Sequence, residues 1–295
     1  MVHMSDISFV KDKFKEWYLS RWKPWVPDLV RWHHFRFRTF NGEWITPVDK
    51  RIRNAHILQK NVFHPRVFPP RDIFYSVLRW LDPKALGTSG VRNYCLGGPL
   101  VFDIDVKLPK NLPLDESLLN EAKYQAVQLM EKLRDKFSLT DFKCVFTGRK
   151  GFHVYVYDYE TLFLEEWNCS LEMREDFEKR KRKEIVLFLQ KHGVKFDYNV
   201  TLDTKRIIRL PGTLHGETGL LCKHIGGTEK DIERFKISEA IVFEERTTVK
   251  VCFLKEVRSF VLEETYGPFS KNEKAKIPVF VALPLLLQEM AILCK

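Results

Sequence analysis

Pro99-Leu-Val-Phe-Asp103-Ile-Asp105-Val106 is an apolar stretch broken by two acids set two residues apart. Side chains of a strand alternate between its faces, so Asp103 and Asp105 share one face while Phe102, Ile104 and Val106 turn to a core. Two like charges side by side gain nothing for folding. A divalent cation between them would resolve the repulsion, as in phosphoryl-transfer sites. A solvated strand end has the same spelling, so the rest of the chain has to decide between the two.

Outward from that strand, residues 116–137 place Leu119, Ala122, Ala126, Leu129, Met130, Leu133 and Phe137 at steps of three and four, which predicts a helix with Asp115 as its N-cap. Strands are expected over 142–146 and 153–157, with the helix covering the sheet. On the other side, Val10, Phe14, Trp17 and Tyr18 predict a core-facing helix over 7–22. Residues 31–40 read as a strand in which Arg36 and Arg38 form a basic face, and Asn41-Gly42 turns it into a hairpin returning through 43–45. Short strands or turns are expected in 55–95. A charged helical excursion is expected near 160–195, closed by Gly193, then a strand over 200–210 and short strands in 235–265. The expected fold class is α+β, with layered mixed and antiparallel sheets flanked by helices, in one unit spanning 1–295.

The chain carries 49 basic against 39 acidic residues, a net charge of +10, which favours a polyanionic partner and nucleic acid before a membrane surface. Six scattered cysteines with no Cys-x-x-Cys pair argue against a zinc knuckle and a disulfide framework, and point to a reducing, intracellular (cytoplasmic or nucleoid) setting. The apolar segment 277–293 contains Pro284, Gln288 and Glu289 and is too short to span a bilayer, so a docked core helix is expected there.

Two further segments carry candidate chemistry. Thr147-Gly-Arg149-Lys150-Gly-Phe-His153 lies between two strands, where two glycines let the backbone approach a ligand and two cations suit a nucleotide phosphate. A basic hairpin turn reads the same, and the spacing is not that of a Walker A loop. In Thr201-Leu-Asp203-Thr-Lys-Arg-Ile-Ile-Arg209-Leu-Pro-Gly-Thr-Leu-His215-Gly, a regular strand would put Asp203, Lys205 and Arg209 on one face and Arg206 on the other. The run Arg180-Lys181-Arg182-Lys183 reads as a solvated helix face or a nucleic-acid contact.

Together, the acidic pair, the Gly-Arg-x-Gly-x-His loop and Lys205-Arg-Ile-Ile-Arg-Leu-Pro-Gly-Thr-Leu-His-Gly216 resemble the catalytic small subunit of archaeal and eukaryotic DNA primases, over residues 30–293. The resemblance implies a DNA-directed nucleotidyltransferase that makes short primers on a single-stranded DNA template from nucleoside triphosphates in replication. It implies Asp103, Asp105 and Asp203 as ligands of two Mg²⁺ or Mn²⁺ ions. Thr147, Arg149, His153, Arg209 and His215 would match its nucleotide-binding residues and Arg36 or Arg38 an N-terminal arginine of its site; from the residues themselves, Lys150 is expected to join the nucleotide contacts, and Arg36, Arg38, Lys181 and Arg182 to contact nucleic acid. It also implies a heterodimer with a large primase subunit. Many archaeal small subunits carry a Cys- and His-rich zinc module soon after the acidic pair; residues 107–140 contain neither residue, so no structural zinc is expected. A primer-extending repair or mobile-element primase-polymerase, or a non-catalytic nucleic-acid-binding subunit, are the rival readings.

Overall fold

The computed structural model describes residues 4–47, 51–163, 170–243 and 247–294. The expected α+β architecture is present as two four-stranded antiparallel sheets, a smaller three-stranded one and flanking helices. The first sheet has the order Trp44–Ile45, Phe35–Arg38, Asp72–Ser76, Ile207–Arg209. Its core face is Phe35, Phe37, Ile45, Ile73, Tyr75 and Ile208, all buried. The second has the order Lys223–Gly226, Phe142–Phe146, Gly151–Val156, Leu100–Asp105. One face of it, through Phe102, Ile104, Cys144 and Val154, is apolar and buried. The helix Leu119–Phe137 packs against this sheet with the stripe expected from its sequence, and Met130 touches Cys144. Tyr155, on the other face, accepts a hydrogen bond of 3.2 Å from the Tyr75 hydroxyl and so ties the two sheets together.

Several expected elements fall differently. The helix begins at Leu119, because Asp115 caps the preceding turn through the Ser117 amide rather than the helix itself. Residues Ala55–Val62 are helical where short strands or turns were expected. Asn54 caps this helix by accepting from the Ile57 amide, and Leu58 and Val62 are buried one turn apart. The segment 200–210 is not one strand. Tyr198–Leu202 is a short helix capped by Asp197, a turn follows, and only Ile207–Arg209 pairs in the sheet. The apolar C-terminal segment divides into a buried helix, Val279–Leu287, and a strand, Ala291–Leu293, which pairs with Thr248–Phe253 in the third sheet. Among the described residues no helix is long and apolar enough to cross a membrane.

The helix Arg174–Lys191 lies within the expected helical excursion, of which residues 164–169 are outside the described set. It buries one member of its basic run. Arg182 is 1% exposed and donates to Glu178 Oε2 at 2.9 Å, to the Thr201 carbonyl at 3.1 Å and to the Pro99 carbonyl at 3.1 Å. Tyr159 donates its hydroxyl to the same Glu178 oxygen. Arg182 therefore joins this helix to the start of the acidic strand and to the end of the short helix Tyr198–Leu202. It is a structural group rather than the surface nucleic-acid contact expected from its basic neighbours, because its charge is satisfied by a buried carboxylate and two carbonyls. Arg182→Ala is expected to cost about 3–5 kcal/mol, since it strands the Glu178 carboxylate in the interior. Urea denaturation of the variant measures that loss.

Candidate active site

Strand pairing sets the acidic strand directly against the loop hairpin. Asp103 lies opposite His153 and Asp105 opposite Gly151. The hairpin closes through the Thr147 amide and hydroxyl, both donating to the Gly151 carbonyl at 3.0 and 3.2 Å. Gly151 has to be glycine: a Cβ there would lie 1.9 Å from the Ile104 carbonyl oxygen. Gly148 sits at φ +95°, and its Cβ would come within 2.6 Å of the His215 Cβ. The two glycines thus let the loop rest on the acidic strand on one side and on the 213–218 segment on the other, where Thr218 donates its hydroxyl to the Gly148 carbonyl.

A cavity of about 170 Å³ lies where these segments meet the end of the first sheet. The acidic strand and the hairpin contribute Asp103, Asp105, Thr147, Lys150 and His153 to its lining, the first sheet and its preceding turn contribute Phe74, Arg206 and Arg209, and His215 completes it. The carboxylates are strained electrostatically. Burial first, then the charge of Asp197, push the Asp103 carboxyl up to about 6, and burial followed by Asp103 itself raises Asp105. Lys150 offsets part of this with its ammonium 3.0 Å from Asp105 Oδ2. Burial lowers His153 to about 4 and takes His215 well below its ordinary value, so at neutral pH both imidazoles are uncharged. Positive charge in the cavity comes from Lys150, Arg206 and Arg209, while the histidines offer hydrogen bonds.

Of the expected site residues, Asp103, Asp105, Thr147, Lys150, His153, Arg209 and His215 come together at this cavity. Asp203 does not line it. It terminates the short helix, and its carboxylate accepts from the Lys205 amide at 2.9 Å. Asp197 does not line it either, but it lies near the pair: its amide donates to the Asp103 carbonyl at 2.8 Å, and its charge is the largest electrostatic influence raising Asp103 after burial. Its own carboxylate accepts from the Asn199 amide at 3.0 Å. Arg149, although in the same loop, is not in the lining; it is paired with Glu217 and donates to Gln288 Oε1 at 2.7 Å. Arg36 and Arg38 stand on the outer face of the first sheet, and Lys181 on the 174–191 helix, 3.5 Å from Glu184.

Besides Asp197, two groups escaped the sequence reading. Arg206 was assigned to the opposite strand face, but it precedes the strand and reaches the cavity from a turn. Asp72, 3% exposed, pairs with Arg209 and accepts from the Gly216 amide at 2.8 Å. It holds the arginine and the His215 segment together. The signal for Asp72 was a carboxylate at the head of a strand that continues with Ile73, Phe74 and Tyr75.

Among the described residues no three or more His, Cys, Asp or Glu side chains stand ready-made as a metal cluster. The acidic pair nevertheless fits a hard cation. Asp103 Oδ1 is buried with no hydrogen-bond partner, and His153 Nε2 lies 3.7 Å from it, beyond hydrogen-bond reach.

No protein-family model matches the chain. Curated relatives do. The chain is 30% identical to the DNA primase small subunit PriS of Archaeoglobus fulgidus, over 94% of this chain and 96% of the relative. It is 29% identical to the protein of the same name from Pyrobaculum islandicum, over 89% and 92%. With that of Saccharolobus solfataricus it shares 22% identity, over 81% and 82%.

Proposed function

As the chain belongs to the family of archaeal DNA primase small subunits, we propose that it is the catalytic subunit of a DNA primase, a DNA-directed nucleotidyltransferase that joins nucleoside triphosphates into short primers on single-stranded DNA during replication. One observation carries the reading. Two adjacent carboxylates, one half-buried and one at the exposed end of the strand, both with raised proton affinity, share a cavity with three cationic side chains, a pairing suited to a metal-bound triphosphate.

Asp103 and Asp105 would hold Mg²⁺ or Mn²⁺, with Asp197 as the third acid, because these ions prefer hard oxygen ligands. When bound, a pair of such ions stabilises charge on the attacking and leaving oxygens of an in-line displacement. The chain's own residues supply the rest. Arg209, held by Asp72, and Arg206 draw the triphosphate into the cavity, and Lys150 adds a third positive charge. Neutral His153 and His215 orient phosphate oxygens by donating N–H groups. Arg149, held by Glu217 and Gln288, supports the loop from outside the cavity. Single-stranded template is the nucleic-acid partner in this reading, and a large primase subunit the protein partner.

The test is product formation on single-stranded template, with and without a preformed primer, with ribo- or deoxyribonucleoside triphosphates and added Mg²⁺ or Mn²⁺. The wild type is expected to make products without a primer. Products only when a primer is supplied would assign the chain to extension instead.

A further inference from the structure

We propose that the outer face of the first sheet is a stacking platform that holds single-stranded nucleic acid against the catalytic cavity, with Trp44 as its base contact. This rests on the function proposed above and names the strand-binding surface it requires.

Register brings the residues together. Arg36 lies opposite Phe74, which lies opposite Arg209, and Arg38 lies opposite Trp44 on its other side. All of these side chains emerge on the face away from the buried Phe35, Phe37, Ile73 and Tyr75. Trp44 is 46% exposed, on a two-residue edge strand. Its ring rests against Phe74 with centroids 5.2 Å apart, and the guanidiniums of Arg36 and Arg38 lie 5.4 and 5.9 Å from it. Phe74 in turn lines the cavity and carries Arg209 at 5.1 Å from its ring. An unbroken run of rings and guanidiniums thus leads from the cavity to solvent.

Such a run has little folding rationale. Trp44 leaves nearly half of a large apolar surface in water. The Nε atoms of Arg36 and Arg38 are buried without a hydrogen-bond partner. A nucleobase laid on the indole would cover the exposed ring, and the adjoining phosphates would meet the two guanidiniums. Every base has a π-face, so the contact is indifferent to sequence, as copying any template demands. Charge complementarity favours nucleic acid over a protein partner, given two arginines on the face and a net charge of +10. Trp44 also sits one ring beyond the cavity wall.

The test is binding of a fluorescently labelled oligodeoxythymidine to the full chain over a salt series. Trp44→Leu, which keeps apolar bulk without a ring, is expected to weaken binding about 5- to 100-fold, and Trp44→Phe to stay within about threefold. The double variant Arg36→Gln/Arg38→Gln is expected to reduce the slope of log affinity against log salt by about 1.4. Wild-type affinity in Trp44→Leu overturns the platform. So does unchanged strand binding accompanied by loss of a co-purifying protein partner, which would assign the face to protein docking. Binding of a nucleoside triphosphate with Mg²⁺ and no strand, measured on the wild type in parallel, separates the two readings: its absence removes the proposed enzymatic function, whereas the strand-binding result bears on Trp44.

Discussion

Asp103→Asn is expected to reduce primer synthesis by roughly three orders of magnitude, the scale on which losing one electrostatic group at a reacting centre is felt, while making the metal-free protein more stable. The two effects have one cause. Burial and the neighbouring Asp197 raise the Asp103 carboxyl from 3.8 to about 6, so the folded chain holds that proton more tightly than the unfolded chain. Folding stability from this group is therefore complete below about pH 4 and declines as pH rises through 6, by up to about 3 kcal/mol. Asparagine carries no titrating charge and should flatten that decline. Urea denaturation between pH 4 and 7 in a chelator, beside the primer assay at neutral pH, measures both effects. Equal synthesis by wild type and variant would remove Asp103 from the chemistry. A wild-type stability that rises across that range would contradict the buried-charge account.

The second large effect separates two aspartates. Asp197→Asn is expected to lower synthesis at least about 100-fold, and Asp203→Asn to remain within about threefold of wild type. Asparagine at 197 retains a side-chain oxygen to cap Asn199, and the bond from residue 197 to the Asp103 carbonyl is made by main chain, so the fold is preserved. The variant loses only the charge. At 203 the carboxylate serves a turn through the Lys205 amide, a hydrogen bond worth about 1 kcal/mol that asparagine can also make. The primer assay on both variants decides the matter, with a second readout in the first: without the Asp197 charge, the pH at which wild-type stability declines should move downward. Full activity in Asp197→Asn, or collapse in Asp203→Asn, would restore the third carboxylate to position 203.

That pair also shows where the sequence was readable. The acidic strand was legible because Phe102–Val106 alternates apolar and acidic residues, so a period of two admits one arrangement there. The hairpin at 147–153 was legible from its glycines. The stretch Tyr-Asn-Val-Thr-Leu at 198–202 has the composition of a strand, yet it forms a helix. The helix is capped by Asp197 at one end, and at the other Thr201 donates to the Val101 carbonyl while Arg182 binds the Thr201 carbonyl. Those tertiary bonds outweigh local preference. Carrying the period of two through that segment put Asp203 and Arg209 on one face and Arg206 on the other, and left Asp197 outside the window. Arg182 was unreadable for a related reason. Its basic neighbours predict solvent, and only the fold supplies Glu178 and two carbonyls to receive it.

Lys150 beside Asp105 has a consequence for the order of events at the cavity. The ammonium is an internal counter-ion, contributed by the same hairpin that lies against the acidic strand. In the proposed function, a dication held by Asp105 would release the ammonium into the cavity that Lys150 already lines, where a phosphate would receive it. Conversely, a phosphate that engages Lys150 leaves Asp105 freer to accept a dication. Reciprocity of binding free energies makes each ligand raise the affinity of the other by the same factor. Under the proposed function, this one ion pair would make the cation and the nucleotide bind cooperatively.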